Sequence, residues 1–88
     1  MRLLFTKSVA KDFEYWKRKD PRLHRRIVTL IDAIEADPFS GVGKPEPLKG
    51  DLSGWWSRRI SGEHRLVYRV TGPKRGRALE VLSCRYRY

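Results

Sequence analysis

Cysteine, long apolar runs and acidic residues are all scarce in this sequence. Cys84 is the only cysteine among 88 residues, which excludes an intrachain disulfide and favours a reducing compartment. No run approaches the ~20 apolar residues of a membrane span. The opening "MRLLFTK" is too short, and too soon followed by charge, for a secretory signal. We therefore expect a cytoplasmic protein with no membrane partner.

The shortage of acids leaves a strongly basic chain. Ten Asp and Glu residues stand against twenty Lys and Arg residues, for a formal net charge of +10. A charge of this size suits phosphate-rich partners or acidic proteins, although it does not separate an enzyme from a binding module. Hydrophobic residues make up 40% of the chain, which argues against disorder. The length predicts one domain, residues 1–88, with a thin core.

The first half of the sequence predicts a strand followed by a helical hairpin. The run "RLLFT" predicts a strand, and Ser8 is a candidate cap for the helix after it. Asp20 and Pro21 are typical of a second helix start, and Asp37-Pro38 of its end. The predicted apolar stripes are Val9, Phe13 and Trp16 in the first helix and Leu23, Ile27, Leu30, Ile31 and Ile34 in the second.

After a loop at residues 38–54, which contains three prolines, the apolar period changes from helical to two. "WWSRRI", "HRLVYRV" and "ALEVLSCRYRY" predict a three-stranded antiparallel meander. The resulting fold class is α+β, an antiparallel sheet with both helices packed on one face. Alternation assigns Trp56, Ile60, Leu66, Tyr68 and Val70 to the helix-covered face, and Ser57, Arg59, Arg65, Val67 and Arg69 to the open face.

The open face carries the residues that could take part in a reaction. Arg59 and Arg65 lie on neighbouring strands, and Arg85 and Arg87 join them if the last strand has the same parity. One interpretation of these arginines is a solvated basic face without a specific function. Glu46, held between two prolines in "KPEPLK" beside Lys49, favours a functional one. A carboxylate among cations suits a general base facing a phosphodiester, and RNA supplies its own nucleophile, the 2′-hydroxyl.

Aromatic residues complete the predicted RNA surface. Tyr86, Tyr88 and Trp55 are candidates for stacking on bases beside a basic track, whereas Trp16 and Trp56 are expected in the core. No His/Cys spacing matches a zinc site, so no metal or other cofactor is expected. His64 is predicted to be a structural histidine with satisfied hydrogen bonds, and Cys84 a small buried apolar residue.

Taken together, these residues resemble a known family. "GKPEPLKGDLSGWWSRRISGEHRLVYRV", extended by "DPFSGVGKPEPLKG" and the closing "CRYRY", is similar to the signature region of the YoeB/Txe toxins of bacterial type II toxin–antitoxin systems, within the RelE/ParE superfamily. The similarity covers nearly the whole chain. It implies a compact RelE-like, microbial-RNase-like fold.

The resemblance also implies a function. Such toxins are endoribonucleases that cut mRNA in the ribosomal A site and so arrest translation. They are neutralised by a YefM-type antitoxin with an acidic, disordered tail, and they form homodimers. By the resemblance, Glu46 is the general base, Arg65 stabilises the scissile phosphate, Lys49 and Arg59 support phosphate binding, and Tyr88 shapes the site.

One position departs from the family pattern. The family typically ends in "RYHY", with a histidine as general acid where this chain has Arg87. A guanidinium group does not release a proton at neutral pH. Three interpretations stay open: a slow RNase in which Arg87 and water replace the acid, a degenerate module that binds RNA or antitoxin without chemistry, or a substitution selected or introduced because the active toxin kills its host. A ParE-like poison of DNA gyrase is the third function within the superfamily, and "KPEPLKG" ahead of the strand pair argues against it.

Overall fold

The computed structural model describes residues 1–86 as a mixed sheet covered by two helices. Together these elements have the predicted α+β architecture. In chain order they are strand β1 (Arg2–Phe5), helices α1 (Lys7–Lys19) and α2 (Pro21–Ala36), strand β2 (Glu46–Pro47), a 3₁₀ turn (Gly50–Leu52), and strands β3 (Trp56–Arg59), β4 (Arg65–Thr71) and β5 (Ala78–Ser83).

The sheet has the order β1-β5-β4-β3-β2. The C-terminal meander of β3, β4 and β5 is antiparallel, as predicted. Strand β1 departs from the expected all-antiparallel sheet, because it pairs in parallel with β5. Parallel neighbours require a crossover connection, and here the helical hairpin and the first strands of the meander together supply it. Within residues 1–86, neither helix is long and apolar enough to cross a membrane.

The helix boundaries follow from local capping. Asp20 ends α1 and begins α2, because its backbone N–H donates to Trp16 O while its Oδ1 accepts from the N–H groups of Arg22 and Leu23. The predicted cap of α1 was wrong. Thr6, in an extended conformation, accepts the Val9 N–H on Oγ1 at 3.2 Å, and Ser8 lies inside the first turn.

The core lies between the helix hairpin and one face of the sheet. Both predicted apolar stripes point into it, with Val9, Trp16, Ile27, Leu30 and Ile34 buried. On the sheet side, Leu79 and Val81 belong to this core, which settles the parity of β5 that the sequence left open. The remaining buried sheet residues of the core are Ile60, Leu66, Tyr68 and Cys84.

Candidate active site

Two cations share the sheet face turned away from the helices. Leu66 and Tyr68 belong to the core, so alternation along β4 turns Arg65 to the opposite face. Arg59, on β3, lies directly opposite Arg65 in the antiparallel register and therefore projects to the same side. The residues predicted to face the helices do pack in or against the core, namely Trp56, Ile60, Leu66, Tyr68 and Val70. The other face is not open throughout, because Ser57 and Val67 on it are completely buried.

Glu46 joins this face from the edge of the sheet. It lies on β2 opposite Ser57, so its exposed side chain shares the face of Ser57. Pro45 and Pro47 flank it, and prolines are tolerated here because β2 is an edge strand. The sequence predicted a loop at this position. The two-residue strand arises because Glu46 and Pro47 pair with β3, a tertiary contact that local sequence does not encode.

The register sets the separation of Glu46 from Arg65. Their strands are two apart in the sheet, and their positions differ by two residues along it, since Glu46 opposes Ser57 while Arg65 opposes Arg59. With ordinary strand spacing and rise, the two Cα atoms lie about 12 Å apart. Both side chains project from the same face of the sheet.

The floor between the two residues is neutral. Ser57 and Val67 are both fully buried and form one cross-strand row with Glu46, two residues along the strands from the row of Arg59 and Arg65. The Ser57 hydroxyl makes no hydrogen bond within residues 1–86. It is a polar group of this face that the sequence analysis did not single out.

The charges of this face are uncompensated within the described part of the chain. No ion pair of residues 1–86 involves Glu46, Lys49, Arg59 or Arg65. Lys49 is exposed at the start of the 3₁₀ turn, three residues beyond Glu46 on the same connection. Arg59 and Arg65 are like charges placed directly opposite each other, an arrangement that is unfavourable until an anion binds.

A buried arginine, Arg58, anchors the loop that leads to Glu46. Its guanidinium donates to the backbone carbonyls of Asp37, Ser40 and Val42 at 2.6 to 3.0 Å. It also donates from Nε to Tyr68 Oη at 3.1 Å. Arg58 is not among the residues predicted from the sequence. Its position between Trp56 and Ile60, with the same parity, was the available signal that it points toward the helices.

The same loop approaches Arg58 closely at Gly43. A Cβ atom on Gly43 would lie 2.8 Å from Leu30 Cδ2 and 3.1 Å from Arg58 Cβ, and the residue has φ +91°. Its carbonyl accepts the Arg59 N–H at 2.7 Å. These contacts fix the loop against α2 and β3 just before the chain turns into Glu46.

Arg85 contacts α1 and also the ring of Tyr86, whose centre lies 5.2 Å from the guanidinium. Its guanidinium stands 3.7 Å from the centre of the Tyr15 ring and 3.6 Å from Asp12 Oδ1, both on α1. The structure therefore does not bring Arg85 together with Glu46 and Arg65. Strand alternation continued beyond β5 did not predict the direction of Arg85. The reason is a β-bulge, which shifts the β4–β5 register between Val67 and Tyr68.

Trp55 is less available for stacking than the sequence suggested. The Arg69 guanidinium lies 4.4 Å from its ring centre, and Arg69 also pairs with Glu80 at 3.1 Å. One face of the indole is therefore covered. Tyr86 is 55% exposed, although its ring centre lies 4.9 Å from that of His64 and 5.2 Å from the Arg85 guanidinium. Trp16 is buried, and Trp56 packs partly buried against the core, as predicted.

Comparison with known proteins places the chain in a family. The model for YoeB-like toxins of bacterial type II toxin–antitoxin systems matches residues 5–88. The chain belongs to this family. Toxin YoeB of Streptomyces coelicolor is 50% identical over 88 residues, which is the whole of both chains.

Solved YoeB structures share the fold closely. The YoeB/ParE toxin from Agrobacterium tumefaciens matches with a TM-score of 0.98 and 51% identity, over all of both chains. YoeB from Staphylococcus aureus matches with a TM-score of 0.88, at 34% identity in a complex with YefM and 35% as a dimer, over 100% of this chain and 98% of that one. The mixed five-stranded sheet with two helices is therefore that of a YoeB toxin.

Two of the predicted site residues of this YoeB-family chain lie outside the described residues. These are Arg87 and Tyr88. Of the other six, the structure brings Glu46, Arg59 and Arg65 to one face, with Lys49 on the adjoining turn. Tyr86 is joined to Arg65 by a backbone hydrogen bond from Arg65 N–H to Tyr86 O at 3.2 Å. Arg85 alone turns toward α1.

Proposed function

We propose that this toxin is a ribosome-dependent endoribonuclease that cuts mRNA in the ribosomal A site and thereby inhibits translation in the cytoplasm. The observation that carries the proposal is the shared face of Glu46 and Arg65 across β3, with Arg59 beside them. An exposed carboxylate facing two guanidinium groups is the arrangement that acid–base cleavage of a phosphodiester needs. The reaction needs no metal ion, because RNA carries its own nucleophile.

In this mechanism Glu46 accepts the proton of the ribose 2′-hydroxyl. The 2′-oxygen attacks the adjacent phosphorus, the bond to the 5′-oxygen breaks, and the products are a 2′,3′-cyclic phosphate and a 5′-hydroxyl. Arg65 and Arg59 stabilise the added negative charge of the pentavalent phosphorane, with Lys49 supporting phosphate binding. Guanidinium suits this role because its planar fork donates to two phosphate oxygens and stays charged.

The leaving 5′-oxygen must still gain a proton. Arg87 stands where the family has histidine, and it stabilises negative charge on the leaving oxygen without donating a proton, so water supplies the proton. Loss of a positioned acid lowers a rate by about 10²–10⁴-fold. We therefore expect a slow enzyme, and Arg87→His should raise its rate.

Mapping of mRNA ends in programmed ribosomes tests the proposal. With EDTA present, we expect a cut that leaves a 5′-hydroxyl on the downstream fragment and that disappears in Glu46→Ala and in Arg65→Ala. Matched controls are Glu35→Ala and Arg75→Ala, which remove exposed charges elsewhere on the molecule. Cleavage that survives both site substitutions would reject the assignment.

A second candidate function is an RNA- and antitoxin-binding module without chemistry. Arg87 at the acid position favours it. Such a module would associate with ribosomes in a salt-sensitive manner, yet it would cut no mRNA at any protein concentration, and Arg87→His would not change that. A supercoiling assay separates both candidates from a gyrase poison.

We further propose a YefM-like acidic antitoxin as partner, and a homodimer as the free form. The support is the net charge of +10 together with the S. aureus relative, which was solved with YefM and as a dimer. An acidic segment on the basic face would make charge-assisted hydrogen bonds and block RNA. Binding of the cognate antitoxin that leaves RNA cleavage intact would contradict this geometry.

A further inference from the structure

The backbone of Tyr86 is held at both ends by two consecutive residues, His64 and Arg65. Tyr86 N–H donates to His64 Nδ1 at 2.7 Å, and Tyr86 O accepts from Arg65 N–H at 3.2 Å. One of the two holding residues is thus the proposed phosphate-binding arginine. The contact links the end of the described chain directly to the start of β4.

The conformation of Tyr86 shows why it needs such contacts. Its φ of +62° lies in the left-handed region, which residues with a side chain seldom occupy. Strained backbone of this kind persists only where surrounding structure holds it, and it is concentrated at functional sites. The short bond to His64 Nδ1 is the contact that holds the strained amide.

His64 is itself rigidly placed. Its ring is buried and meets the Trp16 ring edge to face at a centre distance of 4.6 Å. Trp16 in turn donates from Nε1 to Cys84 O at 2.9 Å. An Nδ1 atom that accepts this hydrogen bond carries no proton, so Nε2 is the N–H of the ring.

We propose that His64 is a positioning residue of the ribonuclease, whose Nδ1 lone pair holds Tyr86 beside Arg65 on the RNA surface. This inference rests on the proposed function and deepens it. The bond sets the place and direction of Tyr86, from which the chain continues to Arg87. His64 touches neither substrate nor the reacting atoms, and it acts through the residue that it holds.

A pair of substitutions separates the hydrogen bond from the packing of the ring. His64→Asn places Oδ1 where Nδ1 stood, since both atoms are the same number of bonds from Cα, and so keeps the acceptor. His64→Phe keeps a ring against Trp16 but has no acceptor. We expect His64→Asn to cut mRNA within about threefold of the wild-type rate. We expect His64→Phe to lose about 100-fold in kcat with little change in KM, the usual scale for a misplaced group.

The opposite ranking overturns the proposal. If His64→Phe cuts as fast as wild type, or if His64→Asn falls as far as His64→Phe, the acceptor does not position the site. Arg75→Ala serves as a control for nonspecific loss of activity. Thermal unfolding of each protein accompanies the kinetics, so that a variant that fails to fold is recognised.

A spectroscopic measurement tests the hydrogen bond itself, and it does so even if a variant does not fold. In the isotope-labelled full chain, the ring nitrogens of His64 should show the neutral form with the proton on Nε2, and the Tyr86 amide should exchange slowly. Fast exchange of that amide, or a proton on Nδ1, overturns the inference. Absence of cleavage by the wild type together with a protected Tyr86 amide would instead reject the proposed function and leave the hydrogen bond standing as a structural contact, which also overturns the positioning role.

Discussion

Arg58 Nε donates a hydrogen bond to Tyr68 Oη at 3.1 Å, and both side chains are completely buried. Tyr68 Oη then donates to Pro38 O at 2.7 Å. Burial raises the pKa of the Tyr68 hydroxyl, against the opposing effect of the Arg58 hydrogen bond. The two side chains connect β3 and β4 to the loop after α2, which precedes Glu46.

Removal of the Arg58 guanidinium should destabilise the protein. Arg58→Ala leaves the carbonyls of Asp37, Ser40 and Val42 without their donor, and we expect the free energy of unfolding to fall by about 3 kcal/mol. Urea unfolding followed by tryptophan fluorescence measures the loss. The neighbouring Arg59→Ala, which removes an exposed cation, is the matched control and should change stability by less than about 0.5 kcal/mol. Equal effects of the two substitutions would contradict the anchoring role.

The pair should also be energetically coupled. Tyr68→Phe removes one hydroxyl that both accepts and donates, with an expected loss of about 1–2 kcal/mol. In a double-mutant cycle, Tyr68→Phe combined with Arg58→Ala should cost less than the sum of the single losses, because both act on one network. Strict additivity would show that the two groups act independently.

Gly43 should tolerate no side chain. Gly43→Ala combines a positive φ with a Cβ placed 2.8 Å from Leu30 Cδ2. Gly54 has a similar φ of +95° but nothing within 4 Å of its Cβ position. Gly54→Ala therefore measures the cost of the positive φ alone. We expect Gly54→Ala to cost roughly 1–2 kcal/mol and Gly43→Ala to cost about 1–3 kcal/mol more, from overpacking. Similar losses for both, measured by urea unfolding, would disprove the close approach.

The opposed arginines should make the free protein less stable at low salt. Arg59 and Arg65 repel across the β3–β4 pair, so Arg59→Ala should raise stability by a few tenths of a kcal/mol in dilute buffer. In about 1 M salt, where the Debye length is roughly 3 Å, the gain should vanish. Comparison of urea midpoints at the two salt concentrations tests this. A gain that does not depend on salt would exclude charge repulsion as its cause.

Cys84 should be inert in the folded protein. Burial raises the pKa of its thiol to about 12, and the thiolate is the reactive form. We expect no alkylation at pH 8 in native buffer and full alkylation in guanidinium chloride, as read by mass spectrometry. Because the folded pKa exceeds the value of about 8.5 for an exposed thiol, the contribution to stability is complete below pH ~8.5 and is lost as pH rises toward 12. Rapid labelling of the native chain would contradict the burial.

Much of the fold was predictable from patterns with a short range. The helix stripes, the Asp20-Pro21 junction and the meander depend on neighbours in sequence, and Asp20 caps α2 as expected. Glu46 and the two open-face arginines were also found, because strand alternation is a local rule. The predicted cap of α1 was wrong by two residues. Thr6 and Ser8 can both cap a helix, and in the structure the helix begins after Thr6.

The residues that sequence reasoning missed depend on contacts between distant segments. Arg58 was assigned no role from the sequence, and only the approach of the Asp37–Val42 loop supplies the carbonyls that make its burial stable. Arg85 was assigned to the RNA face, yet Tyr15 and Asp12 on α1 hold it. The residues that contact Arg58 and Arg85 cannot be predicted from their neighbours in the sequence.

By itself, the sequence determined the two helices, the strands of the meander, the basic charge, the faces of β3 and β4 and the family, because each of these depends on residue type and spacing. Only the tertiary structure decided that β1 runs parallel to β5, that Glu46 sits in a strand, that Arg58 is buried and that His64 holds Tyr86. These are pairings between segments far apart in the chain. Their free energy comes from contacts that exist only after the helices and sheet have packed together.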